Sequence, residues 1–181
     1  AIPIGAGLGG GSSDAMHVLN LLNDLFDLDL TAAELHGMAT ELGSDCPFFL
    51  GNGPQLVEGR GERIRPLDVA LKGHWLVLAY PQIHVSTAEV YQNIRPKERR
   101  VELPQLLAGP AATWKDVLVN DMEPYVFAKH PEIAAIKQVM LDKGALYAAM
   151  SGSGSSVFGI FKDRPSLRAF PKDHGMWTLS L

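Results

Sequence analysis

One stretch near the start of the chain restricts what the rest can be. In Pro3-Ile4-Gly5-Ala6-Gly7-Leu8-Gly9-Gly10-Gly11-Ser12-Ser13-Asp14, five glycines fall within seven residues. Glycine permits positive φ and lets backbone approach a ligand with no Cβ in the way. A helical pattern follows at once, with Ala15, Val18, Leu19, Leu22, Leu25 and Phe26 predicted on one inward face. Ser12 or Ser13 is expected to cap this helix, with Asp14 in its first turn. A helix start offers unpaired N–H groups and the positive end of a dipole, so the stretch reads as a cradle for phosphate. A tight strand-to-helix turn without a ligand is the alternative. The spacing is not that of a dinucleotide fingerprint, and no Lys precedes Ser12 as a Walker A loop requires.

Charge sharpens this reading. Residues 1–59 hold eight acids and no Lys or Arg, whereas residues 60–181 hold twelve acids and all sixteen bases. Anion binding at the glycines must therefore rest on backbone N–H groups, a divalent metal, and bases folded in from elsewhere. The net charge of −4 argues against a nucleic-acid partner. A hydrophobic content of 46% over 181 residues suffices for one large or two small globular domains. No apolar run reaches a membrane span and no signal peptide is visible. The single cysteine, Cys46, excludes an internal disulfide and suits a cytoplasmic location. A phosphate loop needs a strand before it, and only Ala1 to Ile4 precede the glycines, so an upstream segment is expected.

Thr31-Ala32-Ala33-Glu34 is a capping box for a second helix. Leu35, Met38, Ala39 and Leu42 form its expected buried stripe, and Gly43 its stop. Ser44 or Asp45 is positioned to cap a short third helix with Pro47 in its first turn. Gln55–Glu58 and Glu62–Arg65 read as a hairpin around Gly59-Arg60-Gly61, and Pro66 to Gly73 as a link. Beyond it lie a strand at Trp75–Tyr80, a capped helix from Ser86, and a charged loop at Arg95–Arg100. Short helices are expected at Trp114–Val119 and Met122–Ala128. A firmer one opens at His130-Pro131-Glu132, with Ile133, Ile136 and Met140 inward. Strands at Leu146–Met150 and Val157–Phe161, a helix from Pro165 and a strand at Trp177–Leu181 complete the chain. The order strand, helix, strand, strand, helix, strand is the split βαβ, ferredoxin-like arrangement. The fold class is thus α+β, with a first domain at 1–72 and a second at 73–181.

The glycine stretch resembles the nucleotide loop of the GHMP kinase superfamily, which includes galactokinase and the homoserine, mevalonate and phosphomevalonate kinases. Its tripled glycine is closer to the branch that phosphorylates 4-diphosphocytidyl-2-C-methyl-D-erythritol. Leu42-Gly43-Ser44-Asp45-Cys46-Pro47-Phe48-Phe49 and Met150-Ser151-Gly152-Ser153-Gly154-Ser155-Ser156-Val157-Phe158 are similar to two further motifs of that branch, in the right order. The resemblance implies a ribosomal-S5-like domain followed by a ferredoxin-like one. It also implies ATP-dependent phosphorylation of the 2-hydroxyl of the methylerythritol moiety, with Mg²⁺ offsetting the phosphate charge.

Site residues follow from the same resemblance. Pro3, Ile4, Gly5, Ala6, Gly7, Leu8, Gly9, Gly10, Gly11, Ser12 and Ser13 would bind ATP. Asp45 would be the catalytic base, since a carboxylate can align and deprotonate the acceptor hydroxyl; read without the resemblance, Asp45 as a plain helix cap is an equal alternative. Ser151, Gly152, Ser153 and Gly154 would contact phosphate or substrate, or else form a plain hairpin turn. Thr87 and Tyr91 fall at substrate-contacting positions, Tyr91 stacking on the cytosine, unless Tyr91 simply packs in a core. The family's catalytic Lys, and the His and Tyr that hold the cytosine, lie upstream of this chain. The chain alone is therefore expected to show little or no kinase activity and to expose apolar surface. Two other readings remain: a GHMP kinase for galactose, homoserine or mevalonate, and a nucleotide-binding module without catalysis. Metal ligands and oligomeric state are left open.

Overall fold

A computed structural model describes residues 2–3, 5–61, 63–96, 101–167, 170 and 174–181. Its contacts divide the chain into two compact units, Gly9–Asp68 and Ala1–Leu8 with Val69–Leu181.

In the first unit, α1 (Gly10–Leu25) and α2 (Ala32–Leu42) are followed by a 3₁₀ turn, Cys46–Leu50, and an antiparallel hairpin of β1 (Gln55–Glu58) and β2 (Arg63–Pro66). The capping box forms as the sequence predicts. Glu34 N–H donates to Thr31 Oγ1 at 3.3 Å, and Thr31 N–H donates to Glu34 Oε2 at 2.8 Å. Met16, Ala39 and Cys46 make the small core, with Leu19, Phe49 and Leu50 against it. Two expectations are corrected. Neither Ser12 nor Ser13 caps α1: the cap is Gly9 at φ 65°, so both serines lie in the first turn and Asp14 falls beyond it. The predicted inward stripes are also largely outward. Val18, Leu22, Leu25 and Phe26 of the α1 region, and Met38 and Leu42 of α2, are exposed, because a core this small reaches only Met16, Ala39 and their neighbours.

The second unit is a four-stranded sheet in the order β4-β5-β3-β6, built from β3 (Trp75–Tyr80), β4 (Tyr147–Met150), β5 (Val157–Phe161) and β6 (Gly175–Ser180). Every adjacent pair is antiparallel, and Leu78 lies opposite both Phe158 and Trp177. This is the split βαβ order that the sequence implies. Side chains alternate across the sheet. Val77, Ala79, Ala148, Met150, Val157 and Phe161 face α5 (Glu123–Lys129) and α6 (Pro131–Asp142), which bring Val126, Ile133, Ile136 and Met140. Burying each of those large side chains contributes about 1.5–3 kcal/mol. On the opposite face Tyr147, Ala149 and Ile160 meet Ala111 and Trp114.

The segment Trp114–Val119 is not a helix. It forms turns instead, because Trp114 is drawn inward and its indole N–H donates to Leu106 O at 3.0 Å. The helix there is α4 (Leu103–Ala108), which the sequence reading missed; α3 (Thr87–Asn93) starts at Ser86 as expected. Of the charged loop, residues 97–100 lie outside the described residues. So does most of the helix expected from Pro165, and Pro165 and Ser166 themselves are not helical.

Candidate active site

In the unit that contains the sheet, the front of the glycine stretch packs backbone to backbone against the loop joining β4 to β5. Gly5 and Gly7 take φ of 71° and 73°. A Cβ on Gly7 would sit 2.2 Å from Ser151 O and 2.8 Å from Gly154 O, so no other residue fits there. The approach is fastened by two hydrogen bonds. Ser151 Oγ donates to Gly7 O at 2.7 Å, and Ser156 N–H donates to Ala6 O at 3.0 Å. Two motifs more than 140 residues apart thus meet. Of the predicted members in this unit, Ile4 lies outside the described residues, Pro3 is half-buried and Leu8 closes this part of the stretch.

The loop itself is more than a plain turn. Ser155 and Ser156 are fully buried, and Ser155 Oγ donates to Ile83 O at 2.5 Å. Ser156 Oγ is buried with no partner among the described residues. The Ser153 hydroxyl meets the Thr87 hydroxyl at 2.8 Å, joining two predicted substrate residues from separate segments. Tyr91, one turn along α3 from Thr87, is 62% exposed, which removes the alternative that it packs in a core.

In the other unit, Gly9 opens the 16-residue α1. Its first paired amide is Ser13, bonded to Gly9 O at 2.9 Å, and no side chain caps the helix. The N–H groups of Gly10, Gly11 and Ser12 therefore have no acceptor among the described residues, and they lie at the positive end of the helix dipole. Ser13 is buried; its carbonyl lies 2.7 Å from His17 Nδ1. The 3₁₀ turn covers this helix start. A Cβ on Gly9 would lie 2.9 Å from the Phe49 ring, and the buried Cys46 joins Met16 in the core. Asp45, immediately before Cys46, occupies the cap position of the 3₁₀ turn, yet its side chain makes no capping hydrogen bond. It is exposed, and no partner for its carboxylate is present among the described residues. The capping alternative thus loses its interaction. The turn at Gly59–Gly61 closes over the same loop, where a Cβ on Gly61 would stand 2.2 Å from Ser44 O. A cavity of about 330 Å³ lies there, lined by Thr40, Ser44, Pro47, Arg60 and Gly61.

Two residues beside the β4–β5 loop, in the unit that contains the sheet, escaped sequence reasoning. Asn120 and Glu123 bond to backbone on and beside Met150, about 30 positions away in sequence, and no local pattern betrays such a link. No helix among the described residues is long and apolar enough to cross a membrane.

Residues 1–53 match the GHMP kinases N terminal domain, and residues 103–171 match the GHMP kinases C terminal domain. The chain belongs to the GHMP kinase superfamily. Within that superfamily it is 48% identical over 162 residues to the 4-diphosphocytidyl-2-C-methyl-D-erythritol kinase of Parabacteroides distasonis, covering 90% of this chain and 60% of that protein. It is 49% identical over 165 residues to the protein of the same name from Cytophaga hutchinsonii, covering 91% and 61%. A crystal structure of 4-(cytidine 5'-diphospho)-2C-methyl-D-erythritol kinase superposes with a TM-score of 0.75 at 35% identity, over 88% of this chain and 58% of that one. This GHMP kinase chain thus spans about 60% of the length of the curated relatives it matches. The α+β class expected from the sequence is borne out.

Proposed function

We propose that the protein is an ATP-dependent kinase that phosphorylates the 2-hydroxyl of 4-diphosphocytidyl-2-C-methyl-D-erythritol, a step of non-mevalonate isoprenoid synthesis. The observation that carries this is the near-50% identity to kinases named for that substrate, over a chain whose glycine stretch and serine-glycine loop pack together.

In this reading the free amides of Gly10, Gly11 and Ser12 hold the triphosphate, since a helix N-terminus favours anions. The Asp45 carboxylate accepts the proton of the 2-hydroxyl as that oxygen bonds to the γ-phosphorus and the bond to the β–γ bridging oxygen breaks, releasing ADP. Its carboxylate has no partner among the described residues, which leaves it free for this role. Tyr91 offers an exposed ring to the cytosine, and Thr87 with Ser151–Gly154 contacts the diphosphate side of the substrate. No group of three or more His, Cys, Asp or Glu side chains is gathered among the described residues; Mg²⁺ commonly binds through one or two carboxylates plus substrate phosphates, so the phosphates would be its main ligands. The Ser12 hydroxyl would hold it, and the ion would neutralise charge on the phosphates.

The test uses the product of the complete gene, ATP, and the cytidine-diphospho substrate beside galactose, homoserine and mevalonate. Turnover is expected with the first acceptor alone. Asp45→Asn is expected to lower kcat by about 10²–10⁴-fold while leaving folding intact. Retained turnover in that variant would refute the assignment of the base, and turnover of mevalonate or homoserine instead would refute the acceptor.

A further inference from the structure

The Ser151–Ser156 loop depends on side chains from a distant turn for its shape. Its first residue follows Met150, the last residue of β4, and β4 is an edge strand of the sheet. Ser151 N–H points inward, donating to Ser156 O at 2.8 Å, so Met150 presents its own N–H and C=O to the open edge. An open edge normally finds water or another strand. Here it finds Asn120 and Glu123.

The Asn120 amide Nδ2 donates to Met150 O at 3.0 Å and to Gly152 O at 2.8 Å, while its Oδ1 accepts from Met122 N–H at 2.9 Å. Glu123 is buried. Its Oε1 accepts from Met150 N–H at 2.9 Å, and its Oε2 accepts from Lys137 Nζ at 2.6 Å. Burying a carboxylate is costly unless it is paired and hydrogen-bonded, and this one is both. Apolar packing beneath β4 needs no such device.

Its effect follows from peptide planarity. Gly152 C=O and Ser153 N–H belong to one rigid trans unit and point in opposite directions. Holding Gly152 O on the Asn120 side therefore aims Ser153 N–H the other way. The other polar groups of this loop are largely committed: Gly154 N–H to Ser151 O at 3.0 Å, Ser151 Oγ to Gly7 O, and the Ser153 hydroxyl to Thr87. The amides of Gly152 and Ser153 have no acceptor among the described residues.

We propose that Asn120 and Glu123 are positioning residues that fix the peptide planes of Ser151–Gly154, so that the free amides of this loop meet a phosphorylated ligand in one set orientation. The inference rests on the reading above, in which this loop contacts substrate.

The test compares Asn120→Asp, Asn120→Ala, Glu123→Ala and Glu123→Gln in the complete gene product. It measures steady-state kinetics with ATP and 4-diphosphocytidyl-2-C-methyl-D-erythritol, and amide hydrogen exchange across residues 150–156. Asn120→Asp keeps the acceptor for Met122 N–H, loses the two donors and sets a carboxylate oxygen against Met150 O and Gly152 O, whereas Asn120→Ala loses the donors without that repulsion. Asn120→Asp is expected to raise KM for at least one substrate about tenfold, with kcat changed less than about threefold. Exchange should quicken about tenfold in the loop and stay unchanged in α6. Glu123→Gln, which keeps an acceptor for Met150 N–H, should be milder than Glu123→Ala. Wild-type KM and loop exchange in Asn120→Asp would overturn the proposal and leave the kinase reading standing. Loss of melting temperature alone, with unaltered KM, would overturn it as well. A wild-type protein that neither binds nor turns over either substrate would remove the kinase reading and this proposal together.

Discussion

Replacing Gly7 by Ala tests the contact on which the sheet-bearing unit's part of the site is built. Two costs add. At φ 73° an L-residue is disfavoured by about 1–2 kcal/mol relative to glycine. The new methyl carbon would stand 2.2 Å from Ser151 O and 2.8 Å from Gly154 O, and both are backbone atoms that cannot rotate away. Relief requires the two loops to part, which breaks the bonds from Ser151 Oγ to Gly7 O and from Ser156 N–H to Ala6 O. At about 0.5–1.5 kcal/mol each, those bonds bring the total to roughly 2–5 kcal/mol. A chain of this size should then melt some 4–20 °C lower, on a scale of about 2–4 °C per kcal/mol. Gly37→Ala is the control. Gly37 lies inside α2 with nothing within 4 Å of the added carbon, so that change should stabilise by about 0.5–1 kcal/mol. Differential scanning calorimetry on both variants reads the difference directly. Equal melting temperatures for Gly7→Ala and wild type would mean that the two loops are not in contact, and the site as described would be wrong.

Further outcomes follow from other residues. Gly61→Ala should displace the Ser44–Asp45 backbone, since its methyl would meet Ser44 O at 2.2 Å with φ at 121°; kcat should fall with the Asp45 carboxylate still present, and an unchanged kcat would refute the coupling. Thr31→Ala should cost about 1 kcal/mol and fray the start of α2, read by circular dichroism. The Thr31 hydroxyl, then the Thr31 N–H, hold the Glu34 carboxyl below its ordinary value of 4.5. Because the folded value is depressed, that contribution is present above about pH 4.5 and fades as pH falls through the folded value. Thr31→Ala should shrink this acid dependence. Tyr147 behaves in the opposite sense, as burial first and the Glu123 charge second push its phenol well above 10. Stability should fall above pH 10, where only the unfolded phenol ionises, by about 1.4 kcal/mol per pH unit from this group, and Tyr147→Phe should remove that slope.

The elements legible in the sequence are those decided locally. The capping box at Thr31 and Glu34 marks α2, the apolar spacing of Ile133, Ile136 and Met140 marks α6, and the β3 run ends at Pro81. Where the deciding partner is remote, sequence reasoning misplaces the element. Two serines looked like caps for α1, but Gly9 can adopt positive φ and start the helix earlier. Trp114 looked like a helical residue, but its indole is claimed by Leu106 O. Asp45 stood out by its motif, while Asn120 and Glu123 did not, since the groups they hold lie 27 to 32 residues further along.

Cys46 is the only thiol in the chain, is buried against Met16 and Ala39, and adjoins Asp45. The protein therefore carries an intrinsic reporter of how often this stretch opens. A maleimide or disulfide reagent reaches the sulfur when the packing of the 3₁₀ turn against α1 and α2 opens, so its labelling rate counts those openings. Any ligand that clamps the turn would slow the labelling, giving a binding assay that needs no engineered probe.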